Sequence, residues 1–179
     1  MSIAVPTART LAAASGAALL LLGCTPTLDW REVRPPGSGM VALFPCRPGG
    51  LERRLALAGQ TERLTLYTCS AGDLTWGLAV VDVGDAARRA VVMDALHAAA
   101  AANIGTAEIA AGPLTVPGAW PHRSSGLTRL TGRRPDGQVV HMHMAVFTRG
   151  TRVFQATVLG ADLPDDAVQT FFASLRMAP

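Results

Sequence analysis

Alternation of apolar and polar residues with a period of two is the sequence feature that most constrains how this chain folds. In residues 62–69, Leu64, Leu66 and Thr68 fall on one side of an extended chain, and the residues between them fall on the other. Residues 73–83 repeat the pattern. This period is typical of half-buried strands and differs from the longer period of a helix. The alternation therefore predicts neighbouring strands of an antiparallel sheet.

Turn residues divide the strand-like segments into hairpins. The clearest turn contains Pro135, Asp136 and Gly137, in which proline presets φ and glycine supplies a positive φ. The three turns lie at residues 59–60, 134–137 and 149–150. The strands that they join span residues 53–58, 62–69, 126–133, 138–148 and 151–159. Shorter strand-like runs occupy residues 30–33 and 40–44, and residues 112–124 are rich in proline and glycine, which favours a long loop or an irregular strand.

Two segments have helical patterns. Asp85 is a good N-cap for residues 86–102, which contain no glycine or proline, and Gly105 ends that helix. Its predicted buried stripe contains Val92, Leu96, Ala99 and Asn103. Pro164 opens a terminal helix, whose predicted apolar stripe contains Val168, Phe171, Phe172 and Leu175. The sum is an α+β fold, in which a central and a C-terminal helix pack on an antiparallel β-sheet of about six to eight strands.

Short motifs at both ends of residues 38–177 resemble a known fold family. The run from Met40 to Pro48 resembles the opening of many small bacterial secreted and lipoprotein domains, and the ending from Phe171 to Arg176 is similar to their closing helix. The two hairpins between them are also similar. These domains belong to the α/β/α sandwich of the PsbP and Mog-like proteins. The resemblance implies a binding or assembly-supporting module, and it transfers no catalytic residue; Cys46 stands where such domains usually have glycine.

The N-terminal residues have the pattern of a targeting segment. Arg9 precedes an apolar run at residues 11–22, which is shorter than the roughly 20 residues that a membrane-spanning helix needs. Leu21, Leu22, Gly23 and Cys24 resemble the lipobox of bacterial lipoproteins, in which the cysteine is lipidated and becomes the new N-terminus. We therefore expect a signal peptide at residues 1–23, the lipidated cysteine and a tether at residues 24–37, and one α+β domain at residues 38–179.

The lipobox resemblance also implies a location. Several acyl chains on Cys24 would hold the protein on a membrane permanently. Thr25 follows the cysteine at the position where aspartate favours retention in the inner membrane. The expectation is an outer-membrane lipoprotein that faces the periplasm, although the alternative of an ordinary secretory leader stays open at this point.

Cys46 and Cys69 remain once Cys24 is assigned to the lipid. Both end strand-like runs, so they can meet at one end of a sheet, and disulfides persist in a periplasmic compartment. A structural disulfide is the favoured interpretation. Two free thiols or a metal-binding pair are the alternatives.

Two of the four histidines, His141 and His143, are the best candidates for a chemically active site. His141 and His143 alternate with Met142 and Met144, so both imidazoles lie on one face of a strand. A copper or zinc site at these two histidines would need a further ligand, such as His122 or His97, from elsewhere in the chain. The simpler interpretation places the methionines in the core and the histidines on a partly wet face. We expect no bound metal or other cofactor.

The sequence favours a binding protein over an enzyme. His122, Ser124 and Ser125 share a loop, but no nucleophile motif accompanies them. The chain has 16 basic and 13 acidic residues, and its arginines do not form a basic stripe, so nucleic acid is not an expected partner. We expect a non-catalytic binding or scaffold module that contacts the membrane through its lipid and docks an envelope protein or a small ligand. A periplasmic metal-binding protein is the alternative.

Two tryptophans are assigned by their positions. Trp76 lies in strand alternation and is expected in the core. Trp120 lies in the proline- and glycine-rich segment, where it either caps the sheet or lines a groove, and capping is the favoured role.

Overall fold

A computed structural model describes residues 28–106, 109–134 and 136–179 and shows a mostly antiparallel β fold with two α-helices. The strands are Arg31–Val33 (β1), Met40–Phe44 (β2), Gly49–Leu57 (β3), Gln60–Ala71 (β4), Leu74–Asp82 (β5), Ile109–Gly112 (β6), Gly126–Arg133 (β7), Val139–Arg149 (β8), Arg152–Gly160 (β9) and Arg176–Met177 (β10). The helices are a short 3₁₀ helix, Ala86–Arg88, followed directly by α1, Arg89–Asn103, and later α2, Asp165–Ser174.

The strands form two antiparallel sheets. The larger has seven strands in the order β3-β4-β5-β9-β8-β7-β6, and the smaller has the order β1-β2-β10. All three predicted hairpins are present, as the pairs β3–β4, β7–β8 and β8–β9. The segment containing α1, β6, β7 and β8 separates β5 from β9 in sequence, yet these two strands are neighbours in the middle of the sheet. The α+β class is as predicted, and the seven strands of the larger sheet fall in the predicted range, whereas the separate three-stranded sheet was not predicted.

Helix α1 covers one face of the larger sheet. Asp85 caps the 3₁₀ helix, because its carboxylate accepts a hydrogen bond of 2.8 Å from the amide of Ala87. Val92 and Leu96 are buried as predicted, whereas Asn103 is exposed. The buried side chains on this face come from α1 and from six strands of the larger sheet. They include Met93, Ala100, Leu64, Val81, Leu130, Met142, Met144, Val146 and Val153.

Helix α2 and the smaller sheet cover the opposite face. The predicted stripe of α2 is buried in full, and the ring of Phe171 meets the rings of Phe44 and Trp76 edge-on, with 5.4 Å between centroids in both pairs. Trp76 is completely buried, as expected from its strand position. Ser174 joins α2 to the smaller sheet through a 2.8 Å hydrogen bond from the amide of Leu43 to its hydroxyl. The larger sheet is thus buried between α1 on one side and α2 with the smaller sheet on the other.

Several boundaries differ from the prediction. Trp30 packs edge-on against Trp76 at 5.7 Å and β1 pairs with β2, so the packed part of the chain begins before residue 38. Strand β3 begins at Gly49 rather than at residue 53. Strands β6 and β10 were not predicted, because their two to four residues are too short to show alternation. They form as strands because β6 pairs with the longer β7 and β10 pairs with the longer β2.

A disulfide joins Cys46 to Cys69, with 6.0 Å between their Cα atoms. Cys46 lies two residues after β2, and Cys69 lies within β4. The predicted pairing of Cys46 with Cys69 is confirmed, but the bond connects the smaller sheet to the larger one and does not join two strand ends of one sheet.

The predicted signal peptide, lipobox and Cys24 lie outside the described residues. Among the helices that the structure describes, none is long and apolar enough to cross a membrane.

Candidate functional site

Residues 113–125, the segment that connects β6 to β7, contribute to the walls of two grooves. Leu114 contributes to the walls of both. The Trp120 groove encloses about 270 Å³, and the His143 groove encloses about 500 Å³. The second volume falls in the range of ligand sites in proteins, roughly 300–1,000 Å³.

The Trp120 groove is lined mainly by the connecting segment itself. Trp120 is 48% exposed, so the favoured role of capping the sheet was wrong and the side chain lines the groove instead. The guanidinium of Arg89 lies 4.7 Å from the centre of its indole ring, and the Trp120 amide donates to the Thr148 carbonyl. Arg89 also donates a 2.8 Å hydrogen bond to the carbonyl of Gly150, which holds the cation in place.

His122 belongs to the Trp120 groove and is tied to the side of the molecule that carries α1. Its Nδ1 accepts a 3.1 Å hydrogen bond from the amide of Ser124. The Ser124 hydroxyl donates to the carboxylate of Asp94 at 2.9 Å, and the Ser124 carbonyl lies 3.2 Å from Nε2 of His97. The hydroxyl of Ser125 is buried, with no hydrogen-bond partner in the described part of the chain. These contacts hold the loop on α1 and do not arrange a nucleophile with a base.

The His143 groove lies between α2 and the outer strands of the larger sheet. Buried or half-buried apolar side chains form its inner surface: Leu114, Leu127, Val168 and Phe172. Pro113 and Ala173 complete the apolar wall. The polar side chains that line it are Arg129, His143, Asp165 and Gln169. An apolar surface with a few convergent polar groups is the usual composition of a ligand-binding site.

Strand register brings Arg129 and His143 together. The two residues are directly paired across β7 and β8, so their side chains project from the same face of the sheet. On the other face of β8, Met142 and Met144 are 8% and 0% exposed and belong to the core beneath α1. This confirms the simpler interpretation of the His-Met alternation.

Burial lowers the pKa of His143 below its ordinary value of 6.5. The positive charges of Arg129 and His141 lower this pKa further, while the carboxylate of Asp165 acts in the opposite direction. The imidazole is therefore neutral at neutral pH. Its Nδ1 atom is buried and makes no hydrogen bond within the described residues.

Arg129 is exposed and has no carboxylate or hydrogen-bond acceptor among the residues that the structure describes. Some other arginines in this chain form ion pairs, such as Arg176 with Glu32 at 2.6 Å and Arg88 with the buried Glu62. A guanidinium that lies beside an apolar groove without a partner can bind an anionic group through two parallel hydrogen bonds.

The three histidines proposed for metal binding do not meet at one site, because His122 lines a different groove from His143. His141 makes a 3.0 Å contact between its Nδ1 and the hydroxyl of Thr131, and His143 lines the groove under α2. His122 lies beside α1, in the other groove. Across residues 28–106, 109–134 and 136–179, no group of three or more histidine, cysteine or acidic side chains is arranged to hold a metal ion.

Sequence reasoning missed the importance of Arg129. The predicted turn at residues 134–137 and the predicted strands on either side of it nearly set the register, which pairs Arg133 with Val139 and hence Arg129 with His143. The signal was therefore present in the turn. The sequence did not indicate that α2 forms part of the groove, because no local pattern shows which strands a distant helix covers.

Comparison with known proteins gives no family for this chain: no protein-family model matches it, and no curated protein sequence matches it significantly.

Proposed function

We propose that this chain is a lipid-anchored, non-catalytic binding module of the bacterial envelope, and that the His143 groove binds a ligand with an apolar body and an anionic group. The observation that carries the proposal is that, among the described residues, neither the guanidinium of Arg129 nor the neighbouring Nδ1 of His143 has a partner, and both lie next to an apolar surface. The lipobox-like run ending at Cys24 supports the anchor. The Cys46–Cys69 disulfide suits an oxidising compartment.

The geometry favours binding over catalysis. His143 lacks a neighbouring nucleophile in the groove, whose remaining polar side chains are Arg129, Asp165 and Gln169. An anion beside Arg129 would be neutralised by a charge-assisted hydrogen bond, while the wall formed by Val168 and Phe172 would cover its apolar part. In many small-ligand sites the apolar wall likewise covers the body of the ligand, and a few polar groups fix its orientation.

The arrangement of a seven-stranded sheet between helices is also compatible with the α/β/α sandwich of the PsbP and Mog-like proteins. We extend the proposal to that fold family, whose members the opening and closing motifs resemble. The support is the position of the Met40–Phe44 strand against α2, through Phe44 and Phe171. Envelope proteins and small ligands are the proposed partners.

Binding is tested with a matched pair of probes. Calorimetry on the full chain in a non-ionic detergent compares phenylpropionate with its neutral analogue phenylpropanamide. We expect the carboxylate to bind to the parent chain. We expect Arg129→Gln to weaken this binding about tenfold, because the substitution removes a charge-assisted hydrogen bond. Arg133→Gln, on the same strand but outside the groove, is the control and should bind normally. Equal heats for both probes would contradict an anion site.

The anchor is tested in cells by treatment with globomycin, which inhibits removal of lipoprotein signal peptides. The expected result is accumulation of a larger precursor, detected by immunoblot. A chain whose size and membrane association are unchanged by the drug would refute lipidation at Cys24.

A metal site at His141 and His143 is the second candidate. The single observation in its favour is that the Nδ1 of His143, on the same strand face as His141, has no hydrogen-bond partner in the part of the chain that the structure describes. Calorimetry with Cu(II) and Zn(II) tests it, and binding weaker than about 10 μM, near −7 kcal/mol, would eliminate it.

A further inference from the structure

Strand β3 forms an open edge of the larger sheet. It pairs with β4 alone among the described strands, and eight of its nine residues are exposed. It contains no proline, and it has no bulge in its pairing with β4. Leu51 and Leu55 are 48% and 42% exposed, although both are apolar. Proteins usually protect such an edge, because its free amides and carbonyls can pair with another strand.

The turn between β3 and β4 determines which backbone groups are free. Ala58 and Gly59 both have positive φ, 49° and 76°, which is the conformation of a two-residue type I′ hairpin. In such a hairpin the residues flanking the loop, here Leu57 and Gln60, form a hydrogen-bonded pair. Hydrogen-bonded pairs then recur at every second residue, so the odd-numbered residues of β3 bond to β4. The amides and carbonyls of Gly50, Glu52, Arg54 and Ala56 face outwards.

We propose that a second copy of this chain pairs with this edge, β3 against β3, antiparallel about a two-fold axis through Arg53. In this register Glu52 of each copy lies opposite Arg54 of the other, and Leu51 lies opposite Leu55. The outward-facing pairs of Glu52 with Arg54 and of Gly50 with Ala56 each exchange two backbone hydrogen bonds. The edge is therefore complementary to itself in hydrogen bonding, charge and apolar surface.

The charged side chains along β3 and β4 of one copy favour pairing with a second copy. Arg54 lies directly opposite Arg63 on β4, so two positive charges are adjacent on one face. Neither Glu52 nor Arg54 has an ion-pair partner in the described part of the chain. Glu52 of the second copy supplies the missing negative charge beside Arg54.

Neighbouring registers are less favourable. A shift of the axis to Glu52 or to Arg54 places that residue opposite its own copy and separates both Glu52–Arg54 pairs. The axis at Arg53 places two arginines together, which costs free energy, but both side chains are exposed and can diverge into water. The Arg53 register is the one that forms both ion pairs.

A cysteine at the axis tests the pairing directly. In the proposed register Arg53 faces its copy in a non-hydrogen-bonded pair, where the Cα atoms lie about 4.5 Å apart, close enough for a disulfide. We expect full-chain Arg53→Cys, expressed in cells, to give a disulfide-linked dimer on a non-reducing gel. Gln138→Cys, exposed in the β7–β8 turn, has the same background cysteines and should stay monomeric. No Arg53→Cys dimer, or equal dimer in both variants, overturns the proposal.

A charge exchange in the Arg53→Cys background tests the register. Glu52→Arg alone and Arg54→Glu alone each place like charges opposite one another twice, and we expect at least a threefold loss of cross-linked dimer. Both substitutions together restore opposite charges, and we expect cross-linking to recover. Single substitutions without effect, or a double substitution that fails to recover, would exclude this pairing. A mixed disulfide between Arg53→Cys and a different protein, without the homodimer, would assign the edge to another partner and likewise overturn it.

Discussion

At the residue scale, the environment of His143 is decided by its position on β8. Strand alternation places it on the face covered by α2, beside Arg129 on the neighbouring strand. Burial is the largest cause of its lowered pKa, and the positive charge of Arg129 is the next. Both effects disfavour the imidazolium, so the groove holds a neutral imidazole at neutral pH.

The lowered pKa of His143 predicts a pH dependence of stability. Between the lowered pKa and the ordinary value of 6.5, the unfolded chain binds more protons than the folded chain. The free energy of unfolding therefore rises with pH through this window and falls as the solution becomes more acidic than pH 6.5. We expect His143→Gln to reduce this slope in urea unfolding measured between about pH 5 and pH 8. His122→Gln, which leaves His143 in place, is the control; equal slopes in the two variants would contradict the assignment.

At the element scale, the contact between the end of α1 and β7 depends on one glycine. The carbonyl of Ile104, just after α1, accepts a 3.1 Å hydrogen bond from the amide of Arg133. A Cβ atom on Gly132 would lie 1.8 Å from that same carbonyl oxygen. The absence of a side chain therefore lets the helix end rest directly on the strand. Nothing in the local pattern of residues 126–133 indicates this approach.

The close approach at Gly132 predicts a large effect of a single methyl group. We expect Gly132→Ala to lower the free energy of unfolding by more than about 2 kcal/mol, because the contacting atom is backbone and cannot rotate away. Gly49→Ala, whose Cβ would meet nothing within 4 Å, should change it by less than about 0.5 kcal/mol. Urea unfolding of both variants measures the two free energies of unfolding. Similar free energies for the two variants would show that the end of α1 can move away from β7.

The disulfide connects elements of the two sheets and predicts a loss of stability when it is removed. Cys46 and Cys69 are separated by 23 positions, and a loop near this length stabilises a fold by about 3 kcal/mol in the chain-entropy model. We expect the double variant Cys46→Ala, Cys69→Ala to unfold at lower urea concentration, as should the reduced parent chain. The parent should also shift in mobility on reduction, and the double variant should not. An unchanged midpoint after reduction would contradict a stabilising role.

At the scale of the whole molecule, location and stability depend on different cysteines. If Cys24 carries the lipid, Cys24→Ala should move the chain from the membrane fraction to the soluble fraction without changing its unfolding midpoint. The Cys46→Ala, Cys69→Ala variant should lower the midpoint and remain with the membrane. Fractionation and thermal unfolding of both variants measure this separation. A change in both properties from either substitution would show that anchor and fold are coupled.

The sequence predicted most elements but few of their partners. Residues 40–44 and 126–133 were located to the residue, because an apolar run before Pro45 and alternation before the Pro-Asp-Gly turn are local signals. Strands β6 and β10 were missed, since their pairing depends on β7 and β2. Likewise His141 and His143 were placed correctly on one strand face, whereas the site around His143 needed Arg129 and α2.

Alternation, turn residues and helix caps by themselves determined the α+β class, the hairpins and the two helices. They also indicated that Cys46 and Cys69 end strand-like runs, and so could pair. Tertiary structure alone decided which helix covers which face of the sheet, that His122 and His143 line separate grooves, and that β3 is left as an open edge among the described strands. The physical reason is that backbone conformation and strand turns depend on near neighbours. Coverage of a face or an edge depends instead on which distant element buries the most apolar surface there, as Phe171 does against Trp76.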